Sequence, residues 1–552
     1  MSAARYDAIV IGAGPNGLTA AVTLARGGRS VLCVEAAPTL GGAASTAELT
    51  LPGFKHDVFS AVHPAGIASP VFAELNLERH GLRWIQPELA MVHPLADGRG
   101  ATLSRDLAYT ARSLDALGDG DGRRWAQFAG PYLRHFEAVR ATMLSRFPPV
   151  AGARLLPAFG LQGSLEFVRL LLMPAEALAG EVLRGEGEVW LYGSSMHGDA
   201  PLTAAGSAIA GVWLNLLGHV VGWPSPEGGA GGLTGALASL LHELGGETRT
   251  NAPATRVLSS RGRVTGVELA GGERIAARTV IATTPPQALI GLAGDALGDS
   301  YTRRALRFRF GPQTIKLDWA LDAPVPWTNE DARRAGTVHV VGSAEELRSA
   351  LRDIARGRLP EQPFLLSGQQ TIADPTRAPA GKHTMWAYTH TPPGVDWTDW
   401  SDWSDRSDRS DERERFADTI ERQVERFAPG FRERILARHI MAPGDLAARN
   451  ASIPGGDVGH GSYAMDQLIF RPVASLSPYS TPVRGLFIGG AATFPGGAVH
   501  GVNGRAAARA ALREARIPRP PRLRLGRGAE RAPPATGRAH RSAGSRLRCR
   551  GS

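Results

Sequence analysis

Tyr6-Asp-Ala-Ile-Val-Ile11 followed at once by Gly12-Ala-Gly14-Pro15-Asn16-Gly17 decides the fold of this chain. The first six residues are a short, β-rich, apolar run and read as a buried parallel strand. Leu18 to Arg26 reads as a helix closed by Gly27-Gly28. Ser30-Val-Leu-Cys-Val-Glu35 is then a second strand, ending in a carboxylate 18 residues after Gly17. Gly12 permits the tight turn, Gly14 lets backbone approach a pyrophosphate, and Gly17 lets helix pack on strand. Pro15 and Asn16 open the helix, whose free N–H groups and positive dipole end suit phosphate. Glu35 can accept hydrogen bonds from a ribose diol and would repel a 2′-phosphate. The unit therefore predicts a bound dinucleotide, and to this point leaves flavin and nicotinamide open.

Downstream of Glu35 come Gly41-Gly42-Ala43. This stretch resembles the acidic residue and paired glycines that follow strand two in the flavoprotein group containing amine oxidases and carotenoid desaturases, where the glycines lie against the ribityl-phosphate part of FAD. Many members carry Arg where this chain has Ala43. Far away, Arg484-Gly-Leu-Phe-Ile-Gly489-Gly490-Ala-Ala-Thr-Phe-Pro495-Gly496-Gly497-Ala498-Val499-His500-Gly501-Val-Asn-Gly504 reads as strand, glycine-rich loop and helix start. With these carriers the chain resembles the phytoene-desaturase-like FAD-dependent oxidoreductases, within them the branch named for a pyridine nucleotide-disulfide oxidoreductase domain. The resemblance runs over about residues 5–513. It is supported by Pro52-Gly53-Phe54, Gly228–Leu233, Gly262–Val267, Asp466-Gln-Leu468 and Arg471-Pro472.

The resemblance implies FAD as cofactor. It places Gly12, Gly14, Pro15, Asn16, Gly17, Glu35, Gly41, Gly42, Ala43, Val257, Gly490, Pro495, Gly496, Gly497, Ala498 and Val499 at that cofactor. It also implies that the second glycine-rich loop presents a helix start to the flavin, where positive dipole would stabilise the reduced anion. Two weak catalytic candidates remain. Lys316, in the strand-like Thr314–Leu321, could face the flavin, although an edge or surface lysine is the expected reading. His500 could donate a proton, although a solvated loop histidine is the expected reading.

The fold class expected is α/β: a discontinuous Rossmann-type FAD-binding domain (1–75, 226–299 and 466–515) with an inserted α+β substrate domain (76–225 and 300–465). Gly228–Gly232 lacks a preceding strand and a terminal acid, so it reads as a packed helix start rather than a second fingerprint. Leu165–Val182 and Ala204–Val221 are apolar with helical spacing and read as core helices. Gly206, Gly211 and Gly218 in the second would allow a ligand or another helix to approach closely. Residues 397–411 are a three-residue tandem repeat and read as a low-complexity loop. Residues 516–552 are rich in Arg, Pro and Gly and read as a disordered tail.

Charge and cysteine usage exclude several classes. Residues 516–552 hold eleven Arg and one Glu, which accounts for the whole formal charge of +10. The body is left neutral, so no nucleic-acid partner is expected through it, while peripheral contact with a membrane surface stays open. Cys33 and Cys549 form no C-x-x-C, which excludes a redox-active dithiol within the chain. No His/Cys cluster has metal-ligand spacing, so no metal is expected. No apolar run reaches the roughly 18–20 residues that cross a bilayer. The first strand begins too early to leave room for a leader, so a cytoplasmic location is the expectation. The sequence carries no signal of oligomeric state. A small-molecule substrate is expected, with three functional readings: an FAD-dependent oxidoreductase of dehydrogenase or desaturase kind acting on an apolar molecule, a flavin-dependent amine oxidase, or a flavin-binding regulatory protein with little turnover.

Overall fold

The computed structural model describes residues 5–395, 397 and 412–516. Most of the tandem repeat, the tail beyond 516 and Cys549 lie outside these residues.

Two seven-stranded sheets organise the chain. The first is built on Arg5–Ile11, which pairs in parallel with Val31–Val34 on one side and Arg274–Ala282 on the other. Glu247–Arg249 extends it in parallel beyond Val31–Val34. Leu486–Ile488 also joins Arg274–Ala282 in parallel. Ala254–Ser260, Arg263–Leu269 and Arg274–Ala282 form an antiparallel meander at the far edge. The central strands are buried on both faces, which is why they read as continuous apolar runs. The second sheet has the order Ile435–Met441, Gln313–Leu321, His383–Thr391, Leu365–Gly368, Ala335–Val340, Leu89–Pro94, Gly100–Leu103. It is antiparallel except where Ala335–Val340 meets Leu89–Pro94.

The first helix, Pro15–Arg26, follows the first strand as the sequence predicts. A Cβ on Gly17 would lie 1.8 Å from the Gly12 carbonyl oxygen, so only glycine lets helix and turn meet. The helix Gly231–Glu243 begins where the second glycine cluster ends. Its start is already occupied by protein: Asp374 accepts from the Gly228 N–H, Asp57 from Ala230 and Thr46 from Gly231. Those side chains stand where a phosphate would have to go.

The apolar segments come out differently from the expectation. Residues 165–182 are not one helix: Leu155–Leu172 and Ala175–Val182 are separated at Met173-Pro174, as a proline requires. Nor is the first of the two a core helix. Leu155, Phe167 and Leu170 are buried, but Leu156, Leu161, Leu165, Val168 and Leu172 are exposed. Together with the turn before it, Val150–Leu172 is long and apolar enough to cross a membrane by length and composition. The sequence conceals this because Arg154, Gln162, Glu166 and Arg169 interrupt the run. Ala208–Val220, by contrast, is packed on most sides. Its glycines serve helix and strand contact: a Cβ on Gly211 would meet Ser195, and one on Gly218 would meet Leu103.

Candidate functional site

The fold leaves a cavity of about 1380 Å³ that runs from the N-terminal glycine loop to the second sheet. At one end lie Gly12, Gly14, Pro15, Asn16 and Gly17 with Glu35. Gly12 has φ of +95°, which favours glycine. Gly14 has ordinary φ, and a Cβ there would come no nearer than 3.8 Å to any protein atom. Its missing side chain therefore serves the cavity rather than packing. No side chain caps the Pro15–Arg26 helix, whose start faces this space. Glu35 is held by the backbone, its Oε2 accepting from Ala13 N at 2.7 Å and its Oε1 from Ala37 N at 3.0 Å.

Gly42 and Ala43 line the same end. Gly41 stands behind them with φ of +129°, its N–H donating to the Ala13 carbonyl. Val257 lies in the core of the first sheet, opposite Val267, away from the cavity wall.

The second glycine-rich loop closes over the middle. Gly490, Pro495, Gly497, Ala498, Val499 and His500 line the cavity, while Gly496 faces Arg471 and Tyr463. Ala498 and Val499 hold φ of +81° and +50°. Left-handed backbone costs a non-glycine residue about 1–3 kcal/mol and concentrates at ligand sites. Asn503 Nδ2 holds the loop by donating to Thr493 and Gly496 carbonyls. Gly504 lies against Asn16, where a Cβ would be 1.9 Å from the Asn16 carbonyl oxygen. Two helix starts are thereby brought side by side, facing one space.

Both catalytic candidates depart from their expected settings. His500 is buried rather than solvated. Its Nδ1 accepts from Val502 N at 3.2 Å, and burial lowers its pKa to about 4. It is a neutral ring that ties the loop to the following helix. Lys316 is neither at an edge nor on the surface. Its strand is flanked by Ile435–Met441 and His383–Thr391, and its ammonium is ion-paired to Asp318. Burial pushes the Asp318 carboxyl up, but Lys316 and His56 outweigh it and hold the group below its ordinary range.

Strand alternation brings further groups to the wall. Thr314, Lys316 and Asp318 share one face, opposite His390, Tyr388 and Trp386 respectively. Thr314, Lys316, Trp386 and Tyr388 line the cavity together with His197 and Asp199. Asp199 sits at φ of +50°, with His390 Nε2 in ion-pair contact at 2.9 Å. His390 is buried, which lowers its pKa, yet Asp199 raises it overall. Lys316 and its strand apart, these residues escaped the sequence reading. The only signal was the alternation of Trp386, Tyr388 and His390. The remaining wall is apolar: Met143, Leu171, Leu172, Ile209, Trp213 and Phe494 are among its residues.

These features fit a dinucleotide flavin. Gly14 leaves room for a pyrophosphate, Glu35 can receive a ribose, and the loop around Ala498 and Val499 meets the region between the two sheets. The two-sheet fold and this site define the class, an FAD-dependent oxidoreductase. The family described as NAD(P)-binding Rossmann-like domain matches residues 10–76. Over its length the chain is 30% identical to pyridine nucleotide-disulfide oxidoreductase domain-containing protein 2 of Rattus norvegicus, covering 92% of this chain and 94% of that protein. The chain belongs to that protein's family, among the phytoene-desaturase-like FAD-dependent oxidoreductases. It is also 27% identical to hydroxyneurosporene desaturase of Cereibacter sphaeroides, over 91% of this chain and 97% of that one. The fold is similar to that of an oxidoreductase from Methanosarcina mazei, with a TM-score of 0.60, 17% identity, and coverage of 91% of this chain and 99% of that one. Putrescine oxidase shares the fold with a TM-score of 0.57 and 16% identity, over 92% of this chain and 99% of that one.

Proposed function

We propose that this FAD-dependent oxidoreductase is a dehydrogenase of desaturase kind, acting on a largely apolar small molecule. The observation that carries the reading is the make-up of the cavity beyond the glycine loops. There Met143, Leu171, Leu172, Ile209, Trp213 and Phe494 line the space, with Lys316 and Tyr388 of the second sheet and Arg449 and Tyr463 outside it among its few polar groups. An apolar pocket with a few convergent polar groups binds an apolar ligand and fixes its orientation. The relatives named for limonene, phytoene and hydroxyneurosporene are in keeping with such a substrate.

FAD, when bound, supplies the acceptor for a hydride equivalent. The chain's own residues hold it and shape the space beside it. Gly12–Gly17 and the helix start receive the phosphates, Glu35 the ribose, and the loop from Gly490 to His500 the ring end. Lys316, Asp199 and Tyr388 supply the polar groups at the opposite wall. The amine-oxidase reading has less support. Many amine oxidases carry Arg after the paired glycines, where this chain has Ala43.

Anaerobic mixing of the holoenzyme with apolar alcohols, terpenes, polyenes and amines tests the proposal. Bleaching of the flavin band by an apolar member is expected. Bleaching by amines alone would move the protein to the amine-oxidase reading.

A further inference from the structure

We infer that Arg471 sets a buried positive charge behind the loop that receives the flavin ring, and that this charge raises the reduction potential of bound FAD. The inference rests on the ring placement proposed above and not on the choice of substrate. Arg471-Pro472 is among the residues that carry the family resemblance, yet Arg471 touches neither the phosphate end of the cavity nor its apolar wall.

Arg471 is fully buried. Its guanidinium lies between two rings, 5.2 Å from the centre of Tyr463 and 5.6 Å from that of Phe308. Nε donates to the Ala492 carbonyl at 3.3 Å and Nη2 to the His460 carbonyl at 2.6 Å. Nη1 has no hydrogen-bond partner among the described residues. It lies against Gly496, where a Cβ would be 3.1 Å away. Ala492 and Gly496 both belong to the second glycine-rich loop. Tyr463 and Gly497 line the cavity, and the Tyr463 hydroxyl accepts from Gly497 N at 3.0 Å. The guanidinium thus stands directly behind the cavity wall.

The charge is not neutralised there. No carboxylate among the described residues forms an ion pair with Arg471. The acid that faces it, Asp457, is buried and turned to the backbone, accepting from the N–H groups of Gly311, Gly459 and Gly461. Burial lowers the Arg471 pKa, with Tyr463 and Asp457 opposing, but a guanidinium stays protonated in proteins. Burying a charge with no acid beside it is costly. Tying residue 460 to residue 492 needs only N–H groups, so the charge itself calls for an anion that forms in this place. Reduced flavin carries negative charge, and favouring it over the oxidised form raises the potential. Hydride removal from an apolar carbon, with no lone pair to assist, requires such an oxidising flavin.

Sulfite adds to oxidised flavin as an anion, so its affinity reports positive charge beside the ring without any substrate. The FAD-loaded full chain is titrated with sulfite, and its midpoint potential is read by equilibration with redox dyes. Arg471→Gln is expected to bind sulfite about tenfold more weakly, the order of one buried charge acting across a layer of protein. Its potential is expected to fall by about 30 mV, the same factor for a two-electron couple. Arg471→Lys keeps the charge and is expected to stay near wild type. Asp457→Asn removes the facing acid and is expected to shift both quantities the opposite way. Wild-type affinity and potential in Arg471→Gln, or equal losses in Arg471→Gln and Arg471→Lys, would overturn the inference. So would an Asp457→Asn shift that is absent or in the same direction as that of Arg471→Gln. If Arg471→Gln does not fold or hold FAD, the sign of the Asp457→Asn shift decides. Flavin bleaching by substrates is read separately, so failure of the function reading and failure of this inference are distinguishable.

Discussion

His390 Nε2 lies 2.9 Å from Asp199 Oδ1, and the two side chains are 7% and 6% exposed. Thr314, Tyr388, His197 and Asp457 surround the pair. Burial alone would keep His390 neutral, whereas Asp199 raises its pKa above the ordinary 6.5. A folded pKa above the unfolded one contributes stability that is fully present below the unfolded value and lost as pH rises through the folded value. Asp199→Asn should remove that contribution. Its deficit in melting temperature relative to wild type is expected to be largest near pH 6 and to shrink towards pH 9. A deficit that does not change with pH would contradict the assignment.

Gly14 and Gly17 should separate binding from folding. A Cβ on Gly14 meets nothing within 3.4 Å, so Gly14→Val should fold with a near wild-type melting temperature and carry no FAD. Gly17→Val drives its Cβ into the Gly12 carbonyl and should cost the fold itself. Flavin-to-protein absorbance ratios and thermal melts read both effects. Stoichiometric FAD in Gly14→Val would remove the pyrophosphate from this loop.

Glu35 should show a graded effect. Its two oxygens order the Ala13 and Ala37 amides, and its charge remains for a ribose diol. Glu35→Ala is expected to weaken FAD by about 1–3 kcal/mol, and Glu35→Gln by less. Titration of the apoprotein with FAD measures the difference, and an unchanged dissociation constant would move the ribose contact elsewhere.

Acid should destabilise the protein before its carboxylates titrate. Burial lowers the pKa values of His63, His93, His197, His219, His460 and His500 to about 4. The unfolded chain takes up these protons below about pH 6.5, while the folded chain resists to about pH 4. Stability is therefore complete above that window and falls through it as pH drops, by up to about 1.4 kcal/mol per unit for each ring. His390 acts in the opposite sense and cannot offset six. Melting temperatures between pH 7.5 and 5 should decline steeply. A flat profile would mean that these rings are open to water.

What the sequence disclosed was local. The strand, glycine turn, helix and second strand up to Glu35 are contiguous, and each has a short-range cause. Lys316 could not be placed in the same way. Only pairing with two strands far away in the chain makes its own strand internal. His500 reads as solvated because glycine-rich loops are usually exposed, yet it is buried, with Ser69 Oγ donating to its backbone carbonyl and the Gly497 backbone hydrogen-bonded to its ring. Asp199 and His390 are 191 residues apart and meet only through the second sheet. The Leu155–Leu172 helix misled in the other direction. Apolar residues at helical spacing define a face, but periodicity is silent on what that face meets.

The electron donor can be predicted from the two glycine clusters. The first opens onto the cavity, with Gly14 bare towards it. The second, at Gly228–Gly232, has its amides taken by Asp374, Asp57 and Thr46. Two of those partners are carboxylates, which would repel a pyrophosphate as well as occupy its place. Among the described residues the first cluster is thus the one with amides open to a phosphate, and the proposed function puts FAD there. A nicotinamide dinucleotide would have to enter the largely apolar part of the cavity, where its diphosphate would lose water without gaining backbone donors. NADH and NADPH are therefore expected to reduce the flavin at well under about 1 per second, below the ordinary range of enzyme turnover. Anaerobic stopped-flow mixing measures this directly. Bleaching at several per second with either nucleotide would show that a second dinucleotide site exists and that the substrate cavity is not purely for apolar molecules.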